Sequence, residues 1–545
     1  MNEWLDRRWR PLLAVALGLH VLALFGELPE PDAALYATIA RRMAQSGDFV
    51  NLLAYNVDWL DKPHFPFWVT ALSFKVFGVG LLGLRLPALA FTLLGARYTF
   101  RLGLKLYGPT VARLAVLVLL TSQHLVMSNA DVRAEPFLVG LLAAAVFHAL
   151  SARETKWLGH LVAASAFTAA AVMTKGPFLL FPVACAVVVP ALVRREPFLL
   201  GRWLLAVGLV AVFITPELWC LWQQFDAHPE KLVFERHGVS GVRWFFWDSQ
   251  FGRFANTGPI RGQGDPTFFL HTVLWSFLPW SLALYAAGFT AVKRRAAGPG
   301  LVPWSVVVPT VLLFSASRFQ LPHYLNIVFP FFALLVAAWV VEMAARSWVS
   351  VMQGVVLVGT VGFTAGLLVL FDVPHRALVA SLLIAGGLAC LLVFGDATLR
   401  SVVGRSMGAA VLANLGLLLA YNPAALRYQV GHEAARVADA LPPMTTVMVD
   451  VSSQAFAFHS AATVMWWTVE DLRRESAKAP VRALGTAGLF EQLRAEGFVV
   501  REVQRFPYFH ASRPTLRFLD ARTRDEVLEP WVLGEVALGA HTDPD

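Results

Sequence analysis

Asp32 opens the stretch DAALYATIARRM, Asp61 and Lys62 stand together in DWLDKPHFPFW, and Asp131, Arg133 and Glu135 alternate in SNADVRAEPFLVG. Lys175 follows in TKGP, and Arg318, His323 and Tyr324 share SRFQLPHY. All of them sit at the ends of apolar runs. Carboxylates beside cations at a membrane edge suit a transfer in which a carboxylate takes a proton and cations hold a departing phosphate. Ionisable groups at such depth are functional candidates by default. Each also has a structural reading. Asp32 can cap a helix, and Lys62 can snorkel to headgroups with Asp61 as its partner. Pro136 at a first helical position would leave Glu135 near its helix cap. His237 and His271 read as interfacial or packing residues, and no His, Cys or carboxylate cluster has a metal-ligand spacing. No cofactor is called for, although a divalent metal stays open. Neither a Walker motif, a nucleotide fingerprint nor a nucleophile elbow is present, so a pre-activated substrate presented from the lipid suits the site.

The chain around these residues is greasy. It has 545 residues, 57% of them hydrophobic and 15% charged, against about 25% charged in soluble domains. Repeated apolar runs are long enough to cross about 30 Å of hydrocarbon, so the class is a polytopic helical membrane protein. The net charge of +8 is spread in small groups between apolar runs, which is topogenic charge and excludes a nucleic-acid partner. Cys185, Cys220 and Cys390 lie in or beside apolar runs and read as small core residues. The N-terminal apolar stretch lacks a small-x-small cleavage site and reads as an uncleaved first helix.

Thirteen spans are expected, near 11–27, 84–106, 109–127, 135–152, 157–174, 176–193, 203–221, 267–291, 301–316, 324–345, 349–371, 377–395 and 406–422. With the N-terminus in the cytoplasm, every dense Lys/Arg group falls on the inner side, as the positive-inside rule requires. FPFWVTALSFKVFG (65–78) is too short to span and reads as a helix at the outer interface. The odd count leaves three outer regions: 28–83, 222–266 and everything after about 423. Leu35, Ile39 and Met43 recur every four residues, which makes Asp32 the start of an amphipathic helix with Arg41 and Arg42 toward water or headgroups. In the tail, MTTVMVDV and FVVREVQRF read as strands and AGLFEQLRAEG as a helix ended by Gly. The expected division is therefore a membrane domain, 1–422, and a small soluble α+β domain, 423–545.

The ordered set PDAALYATIARRMAQSGDFV, DKPHFPFWVTALSFKVFG, LRLPALAFTLLGARYTFRLGLKLYG, VRAEPFLV, TKGP, FLPWS and SRFQLPHYLNIVFPFFALLVA resembles the bacterial aminoarabinose transferase and protein O-mannosyltransferase superfamily, over about residues 10–350. These are GT-C glycosyltransferases. The resemblance implies a polyprenyl-phosphate sugar donor and inversion at the anomeric carbon. It places Asp32 at the family's first-loop catalytic Asp, Lys62 at the Lys-Pro lysine that contacts donor phosphate, and Glu135 at a second acidic position. Arg318, His323 and Tyr324 fall in the donor-pocket segment, with Tyr36, Asp61, Asp131 and Lys175 as further pocket residues. The family often reads Asp-Glu-x-Arg-Tyr where this chain has Asp32-Ala33-Ala34-Leu35-Tyr36, and Gln320 replaces a usual Lys. Either another cation, Arg253 or Arg318, then assists the phosphate, or substrate choice has changed.

The expected protein is an all-α GT-C membrane enzyme with a periplasmic α+β tail. Its expected work is moving a sugar from a polyprenyl-phosphate donor to a lipid A-like lipid, protein or glycan at the outer face of the bacterial inner membrane. The alternatives are a lipid-linked glycan transporter and a catalytically silent scaffold. Charges gathered at one face and the lack of an inverted repeat speak against transport, while the missing Glu and Arg of the first loop leave the scaffold open.

Overall fold

The structure is a computed structural model and describes residues 2–55, 57–154, 156–197, 199–257, 261–293, 298–510 and 514–538, apart from the side chains of Asn2 and Arg253. Helix α1 (Asn2–Leu22) leads to the first outer region. That region, between α1 and α4, is expected from the sequence to lie outside and holds α2 (Asp32–Ser46), a short hairpin of β1 (Leu53–Ala54) and β2 (Val57–Asp58), and α3 (Phe65–Phe77). Then come α4 (Leu81–Leu106), α5 (Pro109–Leu120), α6 (Gln123–Ala130), α7 (Glu135–Ser151), α8 (Trp157–Lys175), α9 (Leu180–Val193), α10 (Leu200–Phe213) and α11 (Thr215–Leu221). Short α12 (Gly241–Arg243) and α13 (Ser249–Ala255) lie in the long loop. Helices α14 (Phe268–Ser276), α15 (Ser281–Lys293), α16 (Leu301–Ala316), α17 (Phe329–Met343), α18 (Ser347–Phe371), α19 (Arg376–Val393) and α20 (Leu399–Gly416) complete the bundle.

Among the described residues, six helices are long and apolar enough to cross a membrane, or up to eight if each of two bent pairs is one span. The bends, 52° between α5 and α6 and 41° between α10 and the helical run that starts with α11, fall inside two stretches expected as straight spans. Helices α7 and α16 and the run Pro177–Val193 are apolar but shorter, so length and composition do not by themselves reach the expected thirteen. Helix α3 is short and apolar, as its sequence predicts. The core lies where α4, α5, α7 and α17 meet. Small residues set that approach. A Cβ on Gly95 of α4 would stand 2.7 Å from Val139, and one on Gly140 of α7 would stand 2.3 Å from the Phe91 carbonyl oxygen. Only Gly lets the two helices lie so close.

After α21 (Asn422–Leu426) and α22 (Gly431–Asp439), the tail forms a five-stranded sheet in the order β4-β3-β5-β7-β6. The strands are β3 (Thr446–Val449), β4 (Met465–Trp467), β5 (Val481–Thr486), β6 (Phe498–Tyr508) and β7 (Glu529–Leu538). Strand β3 runs parallel to β4 and β5, and β7 is antiparallel to β5 and β6. Alternation along β3 splits the core. Met448 joins α22 and α23 (Gln454–His459) on one face, while Val447 and Val449 join α24 (Val469–Ser476) and α25 (Ala487–Ala495) on the other. Both strands and the helix read from the tail sequence are present, and Gly497 (φ +90°) lies just past α25.

Helix α23 docks on α2 and is gripped at both ends. At its N-terminus the Glu30 carboxylate accepts from Ser453 Oγ and the Ala455 N–H, both at 2.6 Å. At its C-terminus the Arg41 guanidinium donates to the carbonyls of Phe458 and Ser460, both at 2.8 Å. Arg41 therefore does not point to water or headgroups, as its place on the amphipathic helix led one to expect. The carbonyls left over at a helix end draw it in. Burial pushes the Glu30 carboxyl up to about 7 against the pull of Ser453 and Ala455.

Candidate active site

The N-termini of α2 and α7, the turn between α6 and α7, and the C-terminus of α8 converge on one corner of the bundle. Arg133 is its centre. Its guanidinium forms an ion pair with Asp32 Oδ2 at 2.7 Å and donates from Nε to Asp131 Oδ2 at 2.8 Å. The neighbouring His323 Nδ1 lies 3.4 Å from the same guanidinium and accepts from it. That fixes the ring proton on Nε2, which faces Glu135 Oε1 at 3.8 Å. Glu135, with 2% of its side chain exposed, pairs with Lys175, itself 7% exposed. Lys175 Nζ also sits 3.8 Å over the Tyr324 ring. Asp32 is the accessible acid of the group, with 43% of its side chain exposed.

Local sequence explains these placements. Pro136 starts α7 and leaves Glu135 in its first turn, where the positive helix end suits a carboxylate. Asp32 occupies the same position on α2. The charges then tune one another. Burial pushes the Asp131 carboxyl up, against Arg133. Burial also pulls the Arg133 guanidinium down, but Asp131, Asp32 and Glu135 outweigh it and hold the proton more firmly than usual. Tyr36 packs on Phe67, and burial followed by Asp32, Glu135 and Asp61 pushes its hydroxyl far up, so it stays neutral.

Beside this corner lies a cavity of about 430 Å³. Lys62 and Lys175 line it together with Asp61 and Tyr324, and Phe178, Phe245 and Phe251 supply apolar wall. Asp61 and Lys62 form a hydrogen-bonded, largely buried pair. The Lys62 loop is fixed from below by Glu217, a fully buried acid of α11. Its two oxygens meet the His64 backbone N–H and ring Nδ1, each at 3.0 Å, while His64 Nε2 reaches the Val50 carbonyl at 2.8 Å.

The predicted residues Asp32, Tyr36, Asp61, Lys62, Asp131, Glu135, Lys175, His323 and Tyr324 are thus brought to one corner or its adjoining cavity. Arg318 stands apart: it is exposed and packs its backbone against Gly262 and Gly264 of the long loop. The Arg253 side chain lies outside the described residues. Gln320, where a lysine is usual, pins the loop instead, accepting from the Asp265 N–H at 2.8 Å. Sequence reasoning grouped Arg133 with Asp131 and Glu135 but missed it as the hub, and missed Glu217 and Arg85. Glu217 had a signal, an acid inside an apolar run. Arg85, fully buried, gathers the carbonyls of Leu24, Glu27 and Ala130 behind the first loop.

No group of three or more His, Cys, Asp or Glu able to hold a metal is found among the described residues.

A family model described as dolichyl-phosphate-mannose-protein mannosyltransferase matches residues 61–220. An undecaprenyl phosphate-alpha-4-amino-4-deoxy-L-arabinose arabinosyl transferase of Edwardsiella ictaluri is 29% identical over 381 residues, 66% of this chain and 65% of that protein. The Pseudomonas aeruginosa (strain LESB58) protein of that name is 30% identical over 325 residues, 58% of this chain and 56% of its own. The match thus spans less than two thirds of either relative. The solved structure of ArnT from Cupriavidus metallidurans bound to undecaprenyl phosphate aligns with TM-score 0.75 and 20% identity over 98% of both chains. The chain carries the GT-C fold. The resemblance read from residues 10–350 to the aminoarabinose transferase and protein O-mannosyltransferase superfamily is borne out. The apo form of the same ArnT aligns with TM-score 0.73, and in both alignments the C-terminal sheet falls within the shared fold, since 96% or more of this chain is covered.

Proposed function

We propose that this GT-C protein is an inverting glycosyltransferase that takes a sugar from a polyprenyl-phosphate donor at the outer face of the inner membrane. Residues 1–422 then form the catalytic membrane part, with a cytoplasmic N-terminus, and residues 423–545 a periplasmic domain. The names of its relatives make undecaprenyl-phosphate-linked aminoarabinose the first donor to try. A lipid A-like glycolipid, a protein or a glycan is the acceptor. One observation carries the reading: two lysines, Lys62 and Lys175, line an apolar cavity of about 430 Å³, and Lys175 joins that cavity to a half-exposed Asp32 through Glu135, His323 and Arg133.

In this reading the polyprenyl phosphate lies along the aromatic wall, with its phosphate toward Lys62. Asp32 takes the proton of the acceptor hydroxyl as that oxygen bonds the anomeric carbon. The bond from that carbon to the phosphate oxygen breaks on the opposite side, and its electron pair leaves with the polyprenyl phosphate, stabilised by Lys62. Arg133 aims Asp32, and Glu135 holds Lys175. Arg318, exposed on the connection between α16 and α17, has no part in this reading.

The test is release of free polyprenyl phosphate by purified protein in lipid with a panel of polyprenyl-phosphate sugars and a lipid A acceptor. Asp32→Asn is expected to lower release by about 10² to 10⁴-fold, the usual worth of a positioned base, with folding unchanged. Lys62→Ala is expected to lose both donor binding and release. Full release by both variants overturns the site. No release by the wild-type chain with any donor, while it holds a cargo lipid, favours the transport reading.

A further inference from the structure

Helix α8 runs from Lys175 at the acidic corner to Trp157, about 27 Å away by helical rise. A second cavity, of about 250 Å³, lies toward that far end among α8, α9 and α10. Its walls are apolar: Leu161, Val183, Ala184, Val187 and Val207 are among them. The helices leave it open because they pack elsewhere. Helix α9 leans on α16 and α7, and α10 leans on α8. No residue of α10 is buried.

Charge marks the mouth. Arg153 and Arg202 line the cavity itself, and Lys105, Lys156, Arg194 and Arg195 lie in the adjoining segments. The two acids there are already engaged: Glu154 pairs with Lys105, and Glu196 with Arg153 at 2.8 Å. Arg202 donates to the Ala152 carbonyl at 2.8 Å and stacks 4.6 Å over the Trp157 ring. Among the described residues no carboxylate lies within ion-pair distance of it.

We propose that this cleft binds an anionic phospholipid from the leaflet opposite the acidic corner, with one acyl chain between α9 and α10 and its phosphate at Arg202. The occupant follows from shape and charge together. The slot is apolar and is walled on one side by α10, none of whose residues is buried, and two arginines, Arg153 and Arg202, line it. Cations at an anionic membrane surface draw such headgroups. The site is separate from the polyprenyl cavity and stands whether or not transfer is shown.

Native mass spectrometry of the full chain from nanodiscs of mixed phosphatidylcholine and phosphatidylglycerol tests this. The wild-type chain is expected to retain phosphatidylglycerol over phosphatidylcholine by about fivefold or more, the preference one well-placed arginine supplies. Arg202→Gln is expected to erase that preference while lipid is still bound. Ala184→Phe, which fills the slot, is expected to empty it; should that variant misfold, Val188→Phe fills the same slot. Equal retention of the two lipids by the wild-type chain overturns the proposal. So does an unchanged preference in Arg202→Gln, undiminished lipid in the filled variants, or recovery of a polyprenyl lipid in place of phospholipid.

Discussion

Helix α2 lies between two sets of charges that are satisfied in opposite ways. On the side of Asp32, side chains pair with side chains: Arg133 holds Asp32 and Asp131, and Lys175 holds Glu135. On the side of α23, charges meet backbone: Glu30 takes the Ala455 N–H, and Arg41 takes the carbonyls at the far end of the same helix. Side-chain partners can be exchanged when a phosphate or hydroxyl arrives. Helix ends cannot leave without unfolding, and they complement the charges they hold, carboxylate at the positive end and guanidinium at the negative end. The first set is built to be rearranged, the second to fasten.

Breaking the exchangeable set is expected to have the largest effect. Glu135→Ala leaves Lys175 buried without its acid and costs about 3–5 kcal/mol, read as a lowered unfolding midpoint in detergent. Combining Glu135→Leu with Lys175→Met is expected to return most of that stability while transfer stays lost. If the double variant is no more stable than Glu135→Ala, the pair is not an isolated charge couple.

Breaking the fastening set costs less. Arg41→Ala removes charged hydrogen bonds to the end of α23 and is expected to cost about 2 kcal/mol. Proteolysis of the C-terminal sheet should then accelerate while donor binding keeps its affinity. Unchanged protease resistance would show that other contacts hold the sheet, such as Arg524 donating to the Phe371 carbonyl at 2.7 Å.

The smallest effect sharpens the contrast through pH. The Glu30 carboxyl sits at about 7 in the fold against 4.5 for a free one. Between those values the folded chain binds a proton the unfolded chain has released, so stability falls as pH rises. The contribution is whole below about pH 4.5 and is lost as pH passes through about 7. Glu30→Gln is expected to flatten that slope between pH 5 and 8 without touching transfer at pH 6. An equal slope in both proteins would mean that Glu30 does not titrate there.

Periodicity and punctuation made much of this legible. The apolar runs 84–106, 157–174 and 301–316 correspond closely to α4, α8 and α16, because length and polarity in a membrane leave few alternatives. The acids and cations at run ends also pointed to one face. What stayed hidden are pairings between residues far apart in the chain. Glu217 and His64 are 153 positions apart, and neither segment alone encodes the meeting. Arg133 stood out beside Asp131 and Glu135 but not as a hub, since that role comes from Asp32 approaching from another element. Arg41 was misplaced because amphipathic spacing tells which face is polar, not whether water or a folded helix end will cover it.

The clasp on α23 also sets a clock for biosynthesis. Glu30 and Ser453 are 423 residues apart, so at 5–20 residues per second roughly 20 to 85 s of synthesis separate them. Through that interval α2 waits at the membrane without its cover. A chain released from a ribosome that stalls anywhere in the bundle keeps a first loop with no fastened roof, because the Ser453 end of the clasp is never made.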